Sequence, residues 1–304
     1  MYNKIENKCL LREGTDMENK KMFHCFMAII MLFVLLTITP INMYATIVDP
    51  KINNKNICSD ETDIILNDTT GIPDTNLYHA ILKEVDDNSD GILTISEAEE
   101  LCELHAEESD IKDLTGIEWC KNLEYLSLFG NEICDITPLK NLTNIYNLDL
   151  SDNRINSINA LENLTKLCFI DLSNNQITDI TPLENIKVEH IMCLSLSGNN
   201  ISDISVFENM PECQSLDLSN NQISDISALE SKEYSEFLDL SDNQICNISA
   251  LENFNVVCLD LSDNQISDVN ALTNSMIFEL DLMNNQIDDV TPLESIGELE
   301  ILKI

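Results

Sequence analysis

Apolar residues recur along the chain in one pattern, with a period of 21 to 24 residues from Asn131 to the carboxyl end. The pattern reads L-x-L-x-x-N-x-I-x-D-I-x-x-L. In residues 148–151, alternation at every second position predicts a short strand with leucines inward and Asp149 and Ser151 outward. Ser109 holds the asparagine position one period earlier. The phase is marked by eight asparagines: Asn131, Asn153, Asn175, Asn199, Asn221, Asn243, Asn264 and Asn285.

These repeats predict a leucine-rich repeat solenoid of the α/β class, because one repeat cannot bury its own apolar face and must stack on its neighbours. The stacked strands form a parallel sheet. Isoleucines and leucines after each asparagine return the chain along the opposite side and fill the same core. Because the asparagine stands at a turn, we expect its amide to bond unpaired backbone groups and, where buried, to form a ladder with its neighbours.

The motif N-x-I-[ST]-D-I-[ST]-[PA]-L at residues 175–183 and 221–229 resembles a known repeat class. It is similar to the 22-residue repeats shared by bacterial internalins and protein-phosphatase regulatory subunits, over about residues 101–304. The resemblance implies an arc of about eight repeats at residues 109–304, the last incomplete, with a short parallel sheet on its concave face. The recurring positions are structural, so the resemblance does not identify the partner.

The first 45 residues differ from the rest. Basic residues precede an apolar run at residues 26–36, and the small Ala45 follows. This order is typical of a secretory signal peptide, and the run is shorter than the roughly 20 residues that a membrane-spanning helix needs. Because Met43 fits a cleavage site poorly, an uncleaved amino-terminal anchor is the alternative, and a buried core helix is a third interpretation. The first two place the repeats outside the cytosol, secreted or at the cell surface.

A polar linker at residues 46–71 leads to residues 72–108, which resemble an EF-hand. Residues 86–97 read D-D-N-S-D-G-I-L-T-I-S-E and match the calcium loop at every diagnostic position. Carboxylate and amide oxygens at alternating positions suit Ca²⁺, and the glycine permits the sharp turn. The predicted calcium ligands are Asp86, Asn88, Asp90, Ile92 through its carbonyl, Thr94 and Glu97.

The flanks of this loop predict a helix-loop-helix cap. Apolar residues at every fourth position of residues 77–85 predict an incoming helix, and Ser96 with Glu99 predicts a capping box that opens an outgoing helix through Cys102. The pair resembles the amino-terminal cap of bacterial surface leucine-rich repeat proteins. With a single loop, we expect a structural calcium ion of modest affinity. The alternative is a cap whose loop is merely acidic.

Two outward strand positions supply the candidates for partner binding. Aspartates in one of them form a column of like charges, which a basic partner or cations would relieve; the alternative is that they are simply solvated. Aromatic residues two positions earlier are hot-spot candidates, and core packing is their alternative. The predicted partner-binding residues are Tyr125, Asp149, Phe169, Asp171, Asp217, Phe237, Asp239, Asp260 and Asp281.

The net charge of −38, from 16 basic and 54 acidic residues, argues against nucleic acid or an anionic membrane surface as partner. A basic protein, a cation or a neutral glycan fits this charge, and so does a merely soluble surface. Only an uncleaved anchor would attach the protein to a membrane.

Catalytic motifs are absent from the sequence, whose four histidines are scattered, so we expect a protein that is not an enzyme. Nine cysteines follow the leader, an odd number. We expect them to be reduced, with Cys102 and Cys120 the one pair worth testing for a disulfide.

Together these patterns predict an exported recognition or adhesion protein that binds a protein or glycan through the concave face of its sheet. The alternative is an intracellular leucine-rich repeat scaffold similar to protein-phosphatase regulatory subunits, which fits reduced cysteines but requires the leader to be a misassigned start. A carbohydrate-processing accessory module is a further alternative, which would need a second calcium loop or an attached catalytic domain.

Overall fold

The computed structural model describes residues 63–304, and one parallel sheet of ten strands runs through them in chain order. Equivalent residues of neighbouring repeats pair directly, as Asn147 does with Phe169. The predicted leucine-rich repeat sheet is therefore confirmed. The strands are β1 (Glu103–His105), β2 (Tyr125–Ser127), β3 (Asn147–Asp149), β4 (Phe169–Asp171), β5 (His190–Ser195), β6 (Glu212–Asp217), β7 (Tyr234–Asp239), β8 (Asn255–Asp260), β9 (Ile277–Asp281) and β10 (Ile301–Lys303).

A short 3-10 helix follows each strand from β1 to β9 before the next strand begins. Two residues before such a helix there is often an aspartate, whose carboxylate accepts the N–H of the first helical residue, as Asp179 does from Thr181 at 2.9 Å. This local bond favours a tight turn. The 3-10 helices span Ile117–Trp119, Thr137–Asn141, Asn159–Asn163, Thr181–Asn185, Ser205–Glu208, Ser227–Leu229, Ser249–Leu251, Asn270–Asn274 and Thr291–Ser295.

The core lies between the strands and these helices, and each repeat adds the same apolar positions to it. In the β3 repeat, Leu148 and Leu150 of the strand segment are buried, and so are the following Ile155, Ile158 and Leu161. The inward leucines and the returning isoleucines are thus where the sequence pattern predicts them. Because each repeat buries its apolar face against its neighbours, the core is continuous along the stack.

The predicted asparagine ladder is present and connects consecutive repeats. Asn199 Nδ2 donates to the carbonyl oxygens of Leu196 in its own repeat and Leu172 in the preceding one, both at 3.0 Å. Its Oδ1 accepts the N–H of Ile177 at 2.9 Å. Equivalent bonds recur at Asn131, Asn153, Asn175, Asn221, Asn243, Asn264 and Asn285.

Two α-helices, α1 (Thr75–Val85) and α2 (Ile95–Glu100), precede the first strand. The predicted incoming helix corresponds to α1. The predicted capping box is wrong: the reciprocal bonds join Thr94 and Glu97, not Ser96 and Glu99, because α2 begins earlier than expected. The outgoing helix is also shorter than predicted, since Leu101 is already extended and leads directly into β1.

One carboxylate, that of Asp74, connects α1 to the repeats. Its Oδ1 accepts the N–H of Leu77 at 3.1 Å and so caps α1, and its Oδ2 accepts the N–H groups of Lys112 and Asp113 at 2.8 and 3.2 Å. The first strand, β1, pairs with β2 although it lies before residue 109. The repeat sheet therefore starts within the segment that the sequence assigns to the cap.

The predicted signal peptide or anchor, residues 1–45, and the linker as far as residue 62 lie outside the described residues. Within residues 63–304, no helix has both the length and the apolar character needed to cross a membrane.

Replacing Asn199 by alanine tests the ladder. We expect Asn199→Ala to lower the free energy of unfolding by about 2 to 4 kcal/mol, because buried backbone groups of two repeats lose their partners. The matched control is Asn200→Ala, since Asn200 is the adjacent residue and its side chain is exposed. Urea denaturation followed by circular dichroism measures both variants. Equal losses of stability would show that the ladder has no special role.

Candidate interaction surface

The outward side of the sheet presents two columns of side chains, one residue from each strand. We call the first the aspartate column: His105, Ser127, Asp149, Asp171, Ser195, Asp217, Asp239, Asp260, Asp281 and Lys303. The second, the mixed column, lies two residues earlier in each strand: Glu103, Tyr125, Asn147, Phe169, Cys193, Ser215, Phe237, Cys258, Glu279 and Ile301. All nine predicted partner-binding residues belong to these two columns.

Each aspartate of the column also has a local structural bond. Asp171 Oδ1 accepts both the N–H and the hydroxyl of Ser173, at 2.9 and 2.6 Å. These bonds support the turn at the end of the strand. The same pair of bonds recurs in four repeats, at Asp149, Asp217, Asp239 and Asp260.

The electrostatic environment disfavours the ionised form of some carboxylates in this column. Burial and repulsion from Asp149 and Asp217 raise the pKa of Asp171 to about 6, although the bonds from Ser173 oppose the shift. Burial also raises the pKa of Asp239 well above its ordinary value, and repulsion from Asp217 and Asp260 adds to it. Charging these groups at neutral pH therefore costs free energy in the folded state.

Aspartates on the opposite side of the repeats behave in the reverse way. A hydrogen bond from the backbone of Ser227 lowers the pKa of the exposed Asp225, and the Ser227 side chain adds to the effect. The pKa of Asp203 is lowered in the same way by Ser205. The ionised form of aspartate is therefore stabilised at Asp203 and Asp225 on the outer turns and destabilised at Asp171 and Asp239 on the sheet face.

The aspartate column also contains a positively charged residue, Lys303, which the sequence analysis missed. Lys303 Nζ lies 3.0 Å from Asp281 Oδ2 and 3.9 Å from Glu279 Oε1. Asp281, one of the predicted partner-binding residues, is therefore buried and already has a cationic partner. Lys303 lies 22 residues after Asp281, so the repeat period could have placed it in the same column.

The three predicted aromatic residues are half-buried on the outward face. Phe169 and Phe237 are neither core residues nor fully exposed, and Tyr125 packs its ring on His105 with 4.7 Å between ring centroids. The three rings are thus neither fully exposed nor part of the core, and their role as hot spots for a partner stays a prediction. Elsewhere in the mixed column, Cys193 is buried.

Side chains of the predicted calcium loop form hydrogen bonds with backbone groups of the same loop. Both carboxylate oxygens of Asp86 accept backbone N–H groups, those of Asp90 and Gly91 at 3.1 Å, and Asn88 Nδ2 donates to Glu97 Oε1 at 3.1 Å. Gly91 has a φ of +75°, which glycine adopts without strain. Asp86, Asn88, Asp90 and Gly91 are thus close together, and Asn88 reaches Glu97 at the far end of the loop.

Other bonds of the loop bear on its predicted role. Glu97 Oε2 accepts the hydroxyl of Thr94 at 2.8 Å. Ile92 is exposed, and the chain before α1 pairs with the middle of the loop through the N–H of Ile65 and the carbonyl of Leu93 at 2.8 Å. Within residues 63–304, no three His, Cys, Asp or Glu side chains lie close enough together to hold a metal ion. The predicted ligand atoms are all oxygens, which Ca²⁺ prefers. The carboxylates among them accept hydrogen bonds from groups of the loop itself.

The eight described cysteines are all free. Cys102 is exposed and Cys120 is buried, and they do not form the disulfide that the sequence singles out for testing. Nothing in the described part of the chain points to catalysis.

The raised pKa of Asp171 predicts a pH-dependent gain from removing its charge. We expect Asp171→Asn to raise the free energy of unfolding at pH 7.5 by about 1 to 2 kcal/mol, because the folded pKa lies above the unfolded one and ionisation opposes folding above pH 6. The gain should fade as the pH falls from 6 to 4, because the carboxyl is then protonated in the folded state and the unfolded state loses its charge only near the ordinary pKa of 3.8. Asp225→Asn is the control, and it should not stabilise the protein at pH 7.5. A gain for Asp171→Asn that persists unchanged at pH 4 would contradict this assignment.

Comparison with protein families gives two matches. A profile described as leucine-rich repeats in two copies matches residues 193–231, and a single leucine-rich repeat profile matches residues 252–269. A comparison with curated proteins gave no significant match.

Solved structures of similar fold come from several organisms. An internalin C2 from Listeria monocytogenes is 30% identical, with a TM-score of 0.58, over 79% of this chain and 96% of that one. A leucine-rich repeat protein of Leptospira interrogans is 22% identical, with a TM-score of 0.53, over 69% of this chain and 62% of that one. The leucine-rich repeat ectodomain of the plant receptor kinase GASSHO1/SCHENGEN3 from Arabidopsis thaliana, in complex with CASPARIAN STRIP INTEGRITY FACTOR 2, is 22% identical, with a TM-score of 0.54, over 64% and 25%.

The last two structures share the fold alone. At 30% identity over nearly the whole of the Listeria protein, this chain belongs to the internalin family of leucine-rich repeat proteins.

Proposed function

We propose that this protein is an exported recognition or adhesion protein that binds a protein or glycan partner through the outward face of its sheet. The observation that best supports this proposal is the composition of that face. Half-buried aromatic residues lie beside aspartates whose burial disfavours their charge. A partner that covers the aromatic residues and supplies positive or hydrogen-bonding groups would relieve both features.

Family membership supports a recognition role, because leucine-rich repeat proteins such as internalins are typically recognition proteins without enzymatic activity. The plant ectodomain of the same fold was solved with a bound factor, which supports the proposal only as an analogy of fold. Export and a surface location rest on the composition of residues 1–45.

The intracellular scaffold is the second candidate. It is favoured by the free state of all described cysteines, because disulfides are rare in the cytosol. The amino terminus of the native protein separates the two candidates. A mature chain that begins near Thr46 requires export, whereas a protected chain that retains Met1 or an internal start favours the scaffold.

A photo-crosslinking residue tests which side of the repeats binds. In one variant benzoylphenylalanine replaces Phe169, which lies on the outward face of the sheet. In a second variant it replaces Glu162, which lies in the preceding 3-10 helix and is exposed on the opposite side of the stack. We expect irradiation with a cell-surface protein preparation to give discrete adducts from position 169 and none from position 162. Adducts from position 162 alone, or the same adducts from both positions, would refute binding through the sheet face.

We further propose that residues 86–97 bind a structural calcium ion. Asp86, Asn88, Asp90 and Glu97 offer only oxygen donors, and Asn88 already reaches Glu97 at 3.1 Å across the loop. Carboxylate oxygens of Asp86 that accept backbone bonds keep further lone pairs for a cation. The ion would attract the carboxylates of the loop towards one another and stiffen the cap that Asp74 connects to the repeats.

Thermal denaturation with and without 10 mM CaCl₂ tests this site. With a dissociation constant of roughly 10⁻⁴ to 10⁻³ M, as in extracellular modules, calcium should stabilise the protein by about 1 to 3 kcal/mol and raise Tm. Glu97→Gln should abolish the increase, because the amide can still accept the bonds of the capping box but no longer provides a bidentate carboxylate. The same concentration of MgCl₂ is the ionic-strength control. An identical rise in Tm for the wild type and Glu97→Gln would exclude this loop as the site.

A further inference from the structure

The aspartate column is a line of carboxylates rather than a cluster around one point. Asp217, Asp239, Asp260 and Asp281 occupy four consecutive strands, β6 to β9, and pair directly with one another across the sheet. Neighbouring strands lie about 4.8 Å apart, so like charges follow one another at that spacing. A single ion can contact few of them, whereas a linear polycation can contact many.

One residue of the protein, Lys303, shows how a cation pairs with a carboxylate of this column. Lys303 lies in the same column and places its ammonium 3.0 Å from Asp281 Oδ2. Although partial burial lowers the pKa of Lys303, the hydrogen bond and attraction of Asp281, together with Glu279, raise it above its ordinary value. An alkylammonium group therefore fits over this column and remains charged there.

Four other aspartates of the column have no ion pair of this kind in the described part of the chain. Within residues 63–304, no Lys or Arg forms an ion pair with Asp149, Asp171, Asp239 or Asp260. The effect is visible in Asp171 and Asp239, where burial and neighbouring aspartates disfavour the charge. A cation from a partner would do for these residues what Lys303 does for Asp281.

The neighbouring mixed column provides apolar surface for the same kind of partner. Tyr125, Phe169 and Phe237 lie one column away on the same face, on β2, β4 and β7. Lysine and arginine carry apolar stems that pack on aromatic rings, and their charged ends are attracted to the ring faces. The two columns together therefore suit a basic side chain better than an acidic or a purely apolar one.

We propose that the sheet face from β3 to β8 binds an extended, lysine- or arginine-rich segment of a partner protein, whose cationic groups lie along Asp149, Asp171, Asp217, Asp239 and Asp260. This inference rests on the proposed function, because it names the chemistry of the partner at the same face. The charge of the chain supports it, since a net charge of −38 attracts basic partners over distance.

Fluorescence anisotropy with a defined probe tests the proposal on the full-length chain. The probe is a fluorescein-labelled decapeptide of alternating lysine and threonine, and a decapeptide of alternating glutamate and threonine is its control. We expect the wild type to bind only the lysine peptide, with an affinity that falls as salt rises.

Two double variants separate the column from the general charge of the protein. Asp171→Asn with Asp239→Asn removes two charges from the sheet face, and each asparagine Oδ1 can still accept the bonds from Ser173 and Ser241. Asp179→Asn with Asp225→Asn removes two charges from the outer turns. Asparagine is native to that outer position, where Asn247 accepts the N–H of Ser249 at 2.9 Å.

We expect the sheet-face pair to raise the dissociation constant of the lysine peptide at least tenfold and the outer pair to raise it less than twofold. Equal weakening by both pairs would mean general attraction to an acidic protein and would overturn the proposal. Absence of binding to the lysine peptide, or equal binding of both peptides, would overturn it as well. Crosslinking from position 169 without lysine-peptide binding would refute the basic partner and retain the sheet face as the binding surface.

Discussion

The hydrogen bonds of one asparagine per repeat are the constraint on which the rest of the structure depends. Each asparagine amide donates to carbonyl groups of two consecutive repeats and accepts at least one backbone N–H, as Asn199 does with Leu196, Leu172 and Ile177. Among the described residues, no buried side-chain nitrogen or oxygen lacks a partner. Because unpaired buried polar groups are costly, these bonds keep the turn after every strand in one conformation and bring the strands into register.

That register has consequences for the sheet face. Once equivalent residues pair directly, outward aspartates of consecutive repeats lie side by side, as Asp149 does with Asp171 and Asp239 with Asp260, even though the role of each at its strand end is local. Asp171 bonds Ser173 in the same way as Asp225 bonds Ser227, yet the pKa of the first is raised and that of the second is lowered. The difference comes from burial and from neighbours in the stack. A surface of this kind favours cations, and Lys303 on Asp281 is one case within the chain.

The cap shows where local sequence patterns were less reliable. The apolar stripe of α1 was predictable because Leu77 and Ile81 are four residues apart and both pack into the core. The capping box was placed two residues too late, since Ser96 and Glu99 satisfy the same pattern as Thr94 and Glu97. The choice between them depends on Leu93, which is buried and pairs with Ile65 before the helix begins. Such a contact is not visible in the pattern of α2 alone.

The sequence by itself determined the repeat, the inward leucines, the asparagine ladder and the membership of each outward column, because all of these follow from a period that repeats without interruption of phase. The tertiary structure alone decided how each column residue is used. It buried Cys193, left Phe169 half-exposed, paired Asp281 with Lys303 and connected α1 to the first repeat through Asp74. These outcomes depend on burial and on neighbours from other repeats, which one sequence position does not record.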